Sequence, residues 1–159
     1  MKRNSVILSI LLTILILTLA LGFSRESSRA ERDSAAPPSA AGSTVEKLAA
    51  PKGEVLVTNR LDLDFSKRLV TFIEIGADRC IPCKAMKPIM KEIAAEFPED
   101  VQVVFYDVWK DPEPGRHYGI QLIPTQVFMD KEGREFHRHV GFYEKEKIVR
   151  LLAEKGVKK

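Results

Sequence analysis

Ala77-Asp78-Arg79-Cys80-Ile81-Pro82-Cys83-Lys84 carries the only two cysteines in a chain of 159 residues. Its flanks decide whether those sulfurs are a staple or a reagent. A disulfide across two intervening residues closes so short a loop that it removes little chain entropy, which makes it a poor brace. Zinc needs four ligands, usually a second Cys pair or a suitably spaced His pair, and His117, His137 and His139 supply no such spacing. A c-type haem needs His directly after the second Cys, where Lys84 stands. Dithiol/disulfide exchange is the reading these residues favour, with a metal role and a structural brace left open.

Working outward, residues 69–75 (LVTFIEI) read as a buried strand. Beyond Gly76 the apolar positions Met86, Ile89, Met90, Ile93 and Phe97 follow helical spacing. Cys80 therefore falls at a helix N-terminus. There the unpaired N–H groups and the positive end of the helix dipole favour a thiolate, and Arg79 and Lys84 add positive charge. Cys80 is expected to attack. Cys83, one turn in, is more shielded and suited to resolving a mixed disulfide, and Pro82 in the first turn has no helical N–H bond to lose. Glu74 stands inside the buried strand, where a carboxylate is costly without a partner or a task.

Composition is that of a soluble globular domain, 45% hydrophobic and 30% charged, with additions at the N-terminus. Lys2 and Arg3 precede residues 6–23, eighteen residues without a charge and enough to span a bilayer as a helix. The positive flank predicts that residues 1–5 stay in the cytoplasm and that everything beyond is exported. Residues 1–23 are read as a signal anchor, with cleavage near Ala20-Leu21-Gly22 as the alternative, and no nearby Cys allows lipid modification. Residues 24–50, rich in Ser, Ala, Pro, Arg and Glu, read as a flexible linker, so residues 51–159 form the expected domain.

Within it, residues 54–58 are a short candidate strand, Leu61, Leu63 and Phe65 an apolar lead-in, and residues 101–107 a second buried strand. Pro88 is expected to kink the active-site helix, which ends at Phe97-Pro98. Asp111-Pro112 opens a short helix ending near Gly119. Residues 125–129 and 135–140 form a hairpin around Lys131-Glu132-Gly133, and residues 144–155 a closing amphipathic helix before Gly156. This order predicts an α/β fold with a mixed sheet: crossover helices join parallel strands and the hairpin adds an antiparallel one.

From roughly Leu69 to Gly156 these residues resemble the thioredoxin family. The resemblance rests on Cys80-Ile81-Pro82-Cys83-Lys84, Pro88 five residues on, Tyr118-Gly119-Ile120 and Ile123-Pro124-Thr125. It implies a thioredoxin fold, a mixed central β-sheet flanked by helices, with a redox-active Cys80–Cys83 disulfide. It also implies a cis bond before Pro124, which faces the cysteines and leaves the Ile123 backbone free to pair with an extended substrate. Substrate contact is expected at Arg79, Ile123, Pro124 and Gly141. Glu74 takes the place of the acid, usually Asp, that exchanges the proton of the resolving thiol. Many thioredoxins put a Lys near that acid; here the matching position is Phe105, which should raise the Glu74 pKa further.

Arg79-Cys80-Ile81-Pro82-Cys83 stands where thioredoxins have Trp-Cys-Gly-Pro-Cys, so an aromatic lid is missing and a charge is added. With the export signal, the chain is similar to bacterial membrane-tethered thioredoxin-like proteins. Those receive electrons from DsbD- or CcdA-type membrane carriers and keep extracytoplasmic thiols reduced, including those of apocytochromes c in cytochrome c biogenesis. The expected enzyme is a thiol:disulfide oxidoreductase that reduces protein disulfides in the periplasm or at the cell exterior and needs no cofactor or metal. A disulfide-forming oxidase of the same fold and a non-enzymatic copper-handling module are the alternatives. A redox potential near about −270 mV favours reduction and one near about −120 mV oxidation. His137 and His139 share one strand face, but Arg138 between them favours a solvated edge over a metal site. Trp109 is a candidate for either partner contact or the core. The net charge of +3 shows no clustered basic stripe in the domain, so nucleic acid is not implied.

Overall fold

A computed structural model describes residues 46–158 of the chain. Strand β1 (Val55–Val57) is followed by a 3-10 turn at Phe65–Lys67, strand β2 (Val70–Gly76), helix α1 (Ile81–Glu96) and strand β3 (Val101–Asp107). Helix α2 (Glu113–His117), strands β4 (Thr125–Asp130) and β5 (Glu135–Val140) and helix α3 (Lys145–Glu154) complete the order. The five strands form one mixed sheet in the order β1-β3-β2-β4-β5. The first three are parallel, and β4 and β5 pair antiparallel. This is the thioredoxin fold anticipated from the sequence. Every residue of β2 and β3 is buried, as continuous apolar runs at the centre of a sheet covered on both faces require.

Alternation along the strands sorts the core into two layers. On one face Met86, Met90 and Ile93 of α1 and Ile148 and Leu152 of α3 pack on Phe72, Val103, Phe105 and Phe128. Phe72 and Phe128 are direct partners across β2 and β4, and their rings stack with centroids 4.9 Å apart. Such a pair adds about 0.5–1.5 kcal/mol to its area burial. On the other face Ile73, Ile75, Val104, Tyr106 and Val127 lie under Leu63 and Tyr118.

Local signals place the element ends. Helix α2 starts one residue later than Asp111-Pro112 suggested, with Pro112 and not Asp111 as the N-cap residue; Asp111 Oδ1 instead accepts the Glu113 N–H at 2.9 Å in the turn that leads into it. Gly133, at φ +75°, turns the β4–β5 hairpin where an L side chain would be strained. Helix α1 runs through Pro88 without interruption.

The folded unit begins earlier than the expected Pro51. Leu48 forms a parallel bridge with Leu63, donating its N–H to the Asp62 carbonyl at 2.9 Å and accepting the Asp64 N–H at 2.7 Å. The Ala50 N–H donates to Gln102 Oε1 at 3.2 Å. Gln102 Nε2 in turn donates to Thr71 Oγ1 at 2.7 Å and to the Asp64 carbonyl at 2.9 Å, so this buried amide knits the lead-in to the sheet. Residues 46–50, assigned to the linker on composition, are held by these backbone bonds. The proposed anchor at residues 6–23 and the rest of the linker lie outside the described residues. Among the described residues no helix is long and apolar enough to cross a membrane.

A chain shortened to begin at Pro51 is expected to be less stable than one beginning at Glu46 by roughly 1–3 kcal/mol, from two or three backbone hydrogen bonds at about 1 kcal/mol each. Denaturant melts of the two chains measure the difference, and equal midpoints would mean that the segment only rests on the domain.

Candidate active site

Helix α1 begins at the cysteine pair because its first turn is capped by sulfur. Cys80 is the N-cap residue, in extended conformation, and its Sγ accepts the Cys83 N–H at 3.3 Å. The two residues form a disulfide, with S–S 2.09 Å and Cα–Cα 5.2 Å. Cys80 is 9% exposed and Cys83 fully buried, so a disulfide partner arriving from solvent meets Cys80 first. The helix N-terminus stabilises negative charge on that sulfur when the pair is reduced.

Cys83 is buried against the end of β2. A Cβ built on Gly76 would lie 3.1 Å from both Cβ and Sγ of Cys83 and 3.3 Å from Cε2 of Phe105, tight contacts that glycine avoids without any shift of the sulfur or the ring. Glu74 is two residues earlier on the same face, about 7 Å back along the strand. It is fully buried. Phe105, Glu74, Gln126 and His139 are successive partners across β3, β2, β4 and β5, a single rung of the sheet.

In that rung Gln126 Nε2 donates to Glu74 Oε2 at 2.9 Å and to the Gly141 carbonyl at 3.0 Å. Among the described residues Glu74 Oε1 and Gln126 Oε1 are buried without a hydrogen-bond partner. Burial pushes the Glu74 carboxyl up from its ordinary 4.5 to about 8, the Gln126 hydrogen bond opposing the shift. Phe105 does stand beside Glu74 where a lysine was sought. Lys87 of α1 lies over the Phe105 ring, its Nζ 5.7 Å from the centroid. The same ammonium pairs with Asp78 at 2.9 Å. Hydrogen bonds from Lys110 and Lys87 hold the Asp78 carboxyl well below the usual range.

The remaining expected site residues fall around the sulfurs in different ways. Ile123 packs against Ala77, Cys80 and Cys83, and the Ile123–Pro124 bond is cis. Among the described residues the Ile123 N–H and C=O form no hydrogen bond. Gly141, at φ +96°, donates its N–H to the Pro124 carbonyl at 2.8 Å and so lies beside the proline. Arg79 is exposed next to Cys80, and no hydrogen bond or ion pair ties it among the described residues. Trp109 is 60% exposed and shares a groove with Leu122 and Ile123, which settles it outside the core. His139 stacks on Tyr143 at 4.1 Å, and the Tyr143 hydroxyl is 3.3 Å from His137 Nε2. Both imidazoles thus face an aromatic ring.

Sequence reading missed the partner of Glu74. Gln126 is 52 residues away along the chain and becomes visible only in the β2–β4 register. The close approach at Gly76 carried a usable signal, a glycine closing an otherwise buried strand.

The thioredoxin family model matches residues 55–154. The thioredoxin of Chlamydia trachomatis serovar D is 32% identical over 84 residues, covering 53% of this chain and 80% of that protein. That of Staphylococcus aureus strain Mu50 is 30% identical over 94 residues, covering 57% and 89%. A point mutant of Halobacterium salinarum NRC-1 thioredoxin superposes with a TM-score of 0.60 at 24% identity, covering 69% of this chain and 96% of that one, which shows the common fold. The chain belongs to the thioredoxin family. With a Cys80–Cys83 disulfide at the start of α1, it has the construction of a thiol:disulfide oxidoreductase.

Between pH 4.5 and about 8 the folded state holds a proton on Glu74 that the unfolded chain has released. The stability tied to this group is therefore complete below pH 4.5 and lost as pH rises toward 8, by about 1.4 kcal/mol per unit at most. Glu74→Gln is expected to remove this slope and to be more stable than the wild type near pH 8. Denaturant melts across the window test it; parallel curves would show that Glu74 titrates normally.

Proposed function

We propose that the protein is a membrane-anchored, extracytoplasmic reductase of protein disulfides. The observation that carries this reading is the asymmetry of the pair: Cys80 at a helix N-terminus keeps 9% exposure, and Cys83 is fully buried beneath it. The Cys80 thiolate attacks a substrate disulfide, forming a mixed disulfide and releasing the first substrate thiolate. Glu74, as carboxylate, takes the Cys83 proton directly or through one water. The Cys83 thiolate then attacks Cys80 Sγ, the second substrate sulfur leaves, and the protein is left as the disulfide. Two electrons have passed to the substrate.

Several features support the reading. The unpaired Ile123 backbone offers strand-like hydrogen bonds to an extended substrate segment beside Cys80. Ile81, Trp109, Leu122 and Phe142 are exposed apolar side chains near the sulfurs or the Ile123–Gly141 side, suited to the apolar residues of such a segment. An acid that resists ionising near Cys83 does not favour a second anion there, unlike a site built to hold a stable thiolate, and this favours reduction over oxidation. Residues 6–23 anchor the domain on the outer side of the inner or cytoplasmic membrane, or direct its secretion there if cleaved. A DsbD- or CcdA-type membrane carrier then supplies the electrons, and apocytochrome c thiols are among the proteins served.

Cys83→Ser abolishes only the resolving step. It is expected to accumulate mixed disulfides through Cys80, with substrates and with the membrane donor, identifiable by mass spectrometry of trapped adducts. Adducts through residue 83 in Cys80→Ser instead would reverse the roles, and no adduct in either variant would remove the exchange reading.

A further inference from the structure

Gln126 is an amide inside an apolar sandwich, fully buried on a strand whose neighbouring inward positions are filled by hydrocarbon. A residue such as Leu would fill that space without the desolvation cost of a carboxamide. The amide is not there to satisfy itself, since its Oε1 has no partner. Its orientation is fixed chemically: both neighbours at hydrogen-bond distance, Glu74 Oε2 and the Gly141 carbonyl, are acceptors, so the NH2 group faces them. Each of its two N–H bonds has one acceptor. Gly141 is itself held by its N–H to the Pro124 carbonyl, which makes the clamp part of the backbone beside Pro124.

We propose that Gln126 is the positioning residue for Glu74: one N–H pins Oε2, the other pins the amide to Gly141, and Oε1 alone is left to exchange the proton with Cys83. This rests on the reading of Glu74 as the base for Cys83. An oxygen accepting an N–H remains an acceptor whether the carboxyl is charged or neutral, so the acidic proton resides on the other oxygen. That oxygen is Oε1, buried and unpartnered. The same hydrogen bond favours the carboxylate and offsets part of the desolvation, so enough base is present near neutral pH to accept a proton. Among the described residues no other ionisable group takes this place. Lys87 of α1 is engaged with Asp78 above Phe105, and Cys83 is in the disulfide. From β5 and the segment beyond it, His139 Nε2 is 3.1 Å from the Phe142 carbonyl and Tyr143 is directed to His137. On α3, Lys145 is paired with Glu92 and Glu96.

The test uses the full chain with Gln126→Met, which keeps the volume, and Gln126→Leu as a second apolar replacement. Two quantities are followed: the Glu74 titration, by the infrared band of its protonated carboxyl, and the pH profile of mixed-disulfide resolution. The titration is expected to move up by about one unit or more, the ordinary worth of a hydrogen bond to a charged group. Resolution at pH 7 should fall about tenfold for each unit, the gap closing as pH passes the shifted titration. In a Glu74→Gln background, Gln126→Met should add nothing to the rate effect. An unmoved titration, or a loss of rate equal at every pH, overturns the assignment of Gln126 even if Glu74→Gln is slow. A Glu74→Gln variant as fast as the wild type overturns the underlying reading of Glu74, and the assignment with it.

Discussion

Gly76 leaves room for Cys83 to pack close against the end of β2, and the site depends on that approach. A Cβ at Gly76 would meet Cys83 Cβ and Sγ at 3.1 Å, so the sulfur would have to give way by a few tenths of an ångström. With glycine there, Cys83 is fully buried while Cys80, three residues earlier, still reaches solvent. One geometric constraint thus separates two chemically identical thiols into an outer and an inner one. It also brings the inner thiol over the rung that carries Glu74, because residues two apart on a strand share a face.

That rung works against stability. A carboxyl whose titration lies near 8 rather than 4.5 is carried into the fold at a disadvantage of about 1.4 kcal/mol for each unit once the pH exceeds its folded value. The surrounding core is extensive enough to bear it: the stacked Phe72–Phe128 pair lies on the same face, and α1 and α3 close over both. Phe105, the cross-strand partner of Glu74 on β3, makes the surroundings of the acid drier, and Gln126 is the only polar side chain bonded to it among the described residues.

Much of this was legible in the sequence because the relevant signals are local. Continuous apolar runs gave β2 and β3 their buried, central place, and the spacing of Met86, Met90, Ile93 and Phe97 located α1 and with it the position of Cys80 at a helix start. The buried Glu74 stood out as a charge in the wrong company. What escaped was set by register. Gln126 meets Glu74 only because β4 returns antiparallel beside β2, and nothing near residue 126 signals it. Leu48 and Ala50 escaped for a related reason: they close a stretch without apolar periodicity and are held by hydrogen bonds to partners as distant as the Gln102 side chain.

The central claim is that Glu74 takes the proton of Cys83, and the rate of mixed-disulfide resolution tests it most directly. Rapid-mixing measurements of wild type and Glu74→Gln, starting from a preformed Cys80 adduct, isolate that step from substrate binding. A base role for Glu74 predicts a loss of about a hundredfold at neutral pH, the usual worth of a positioned proton acceptor. Equal rates in the two proteins would contradict it and leave Cys83 to lose its proton to solvent.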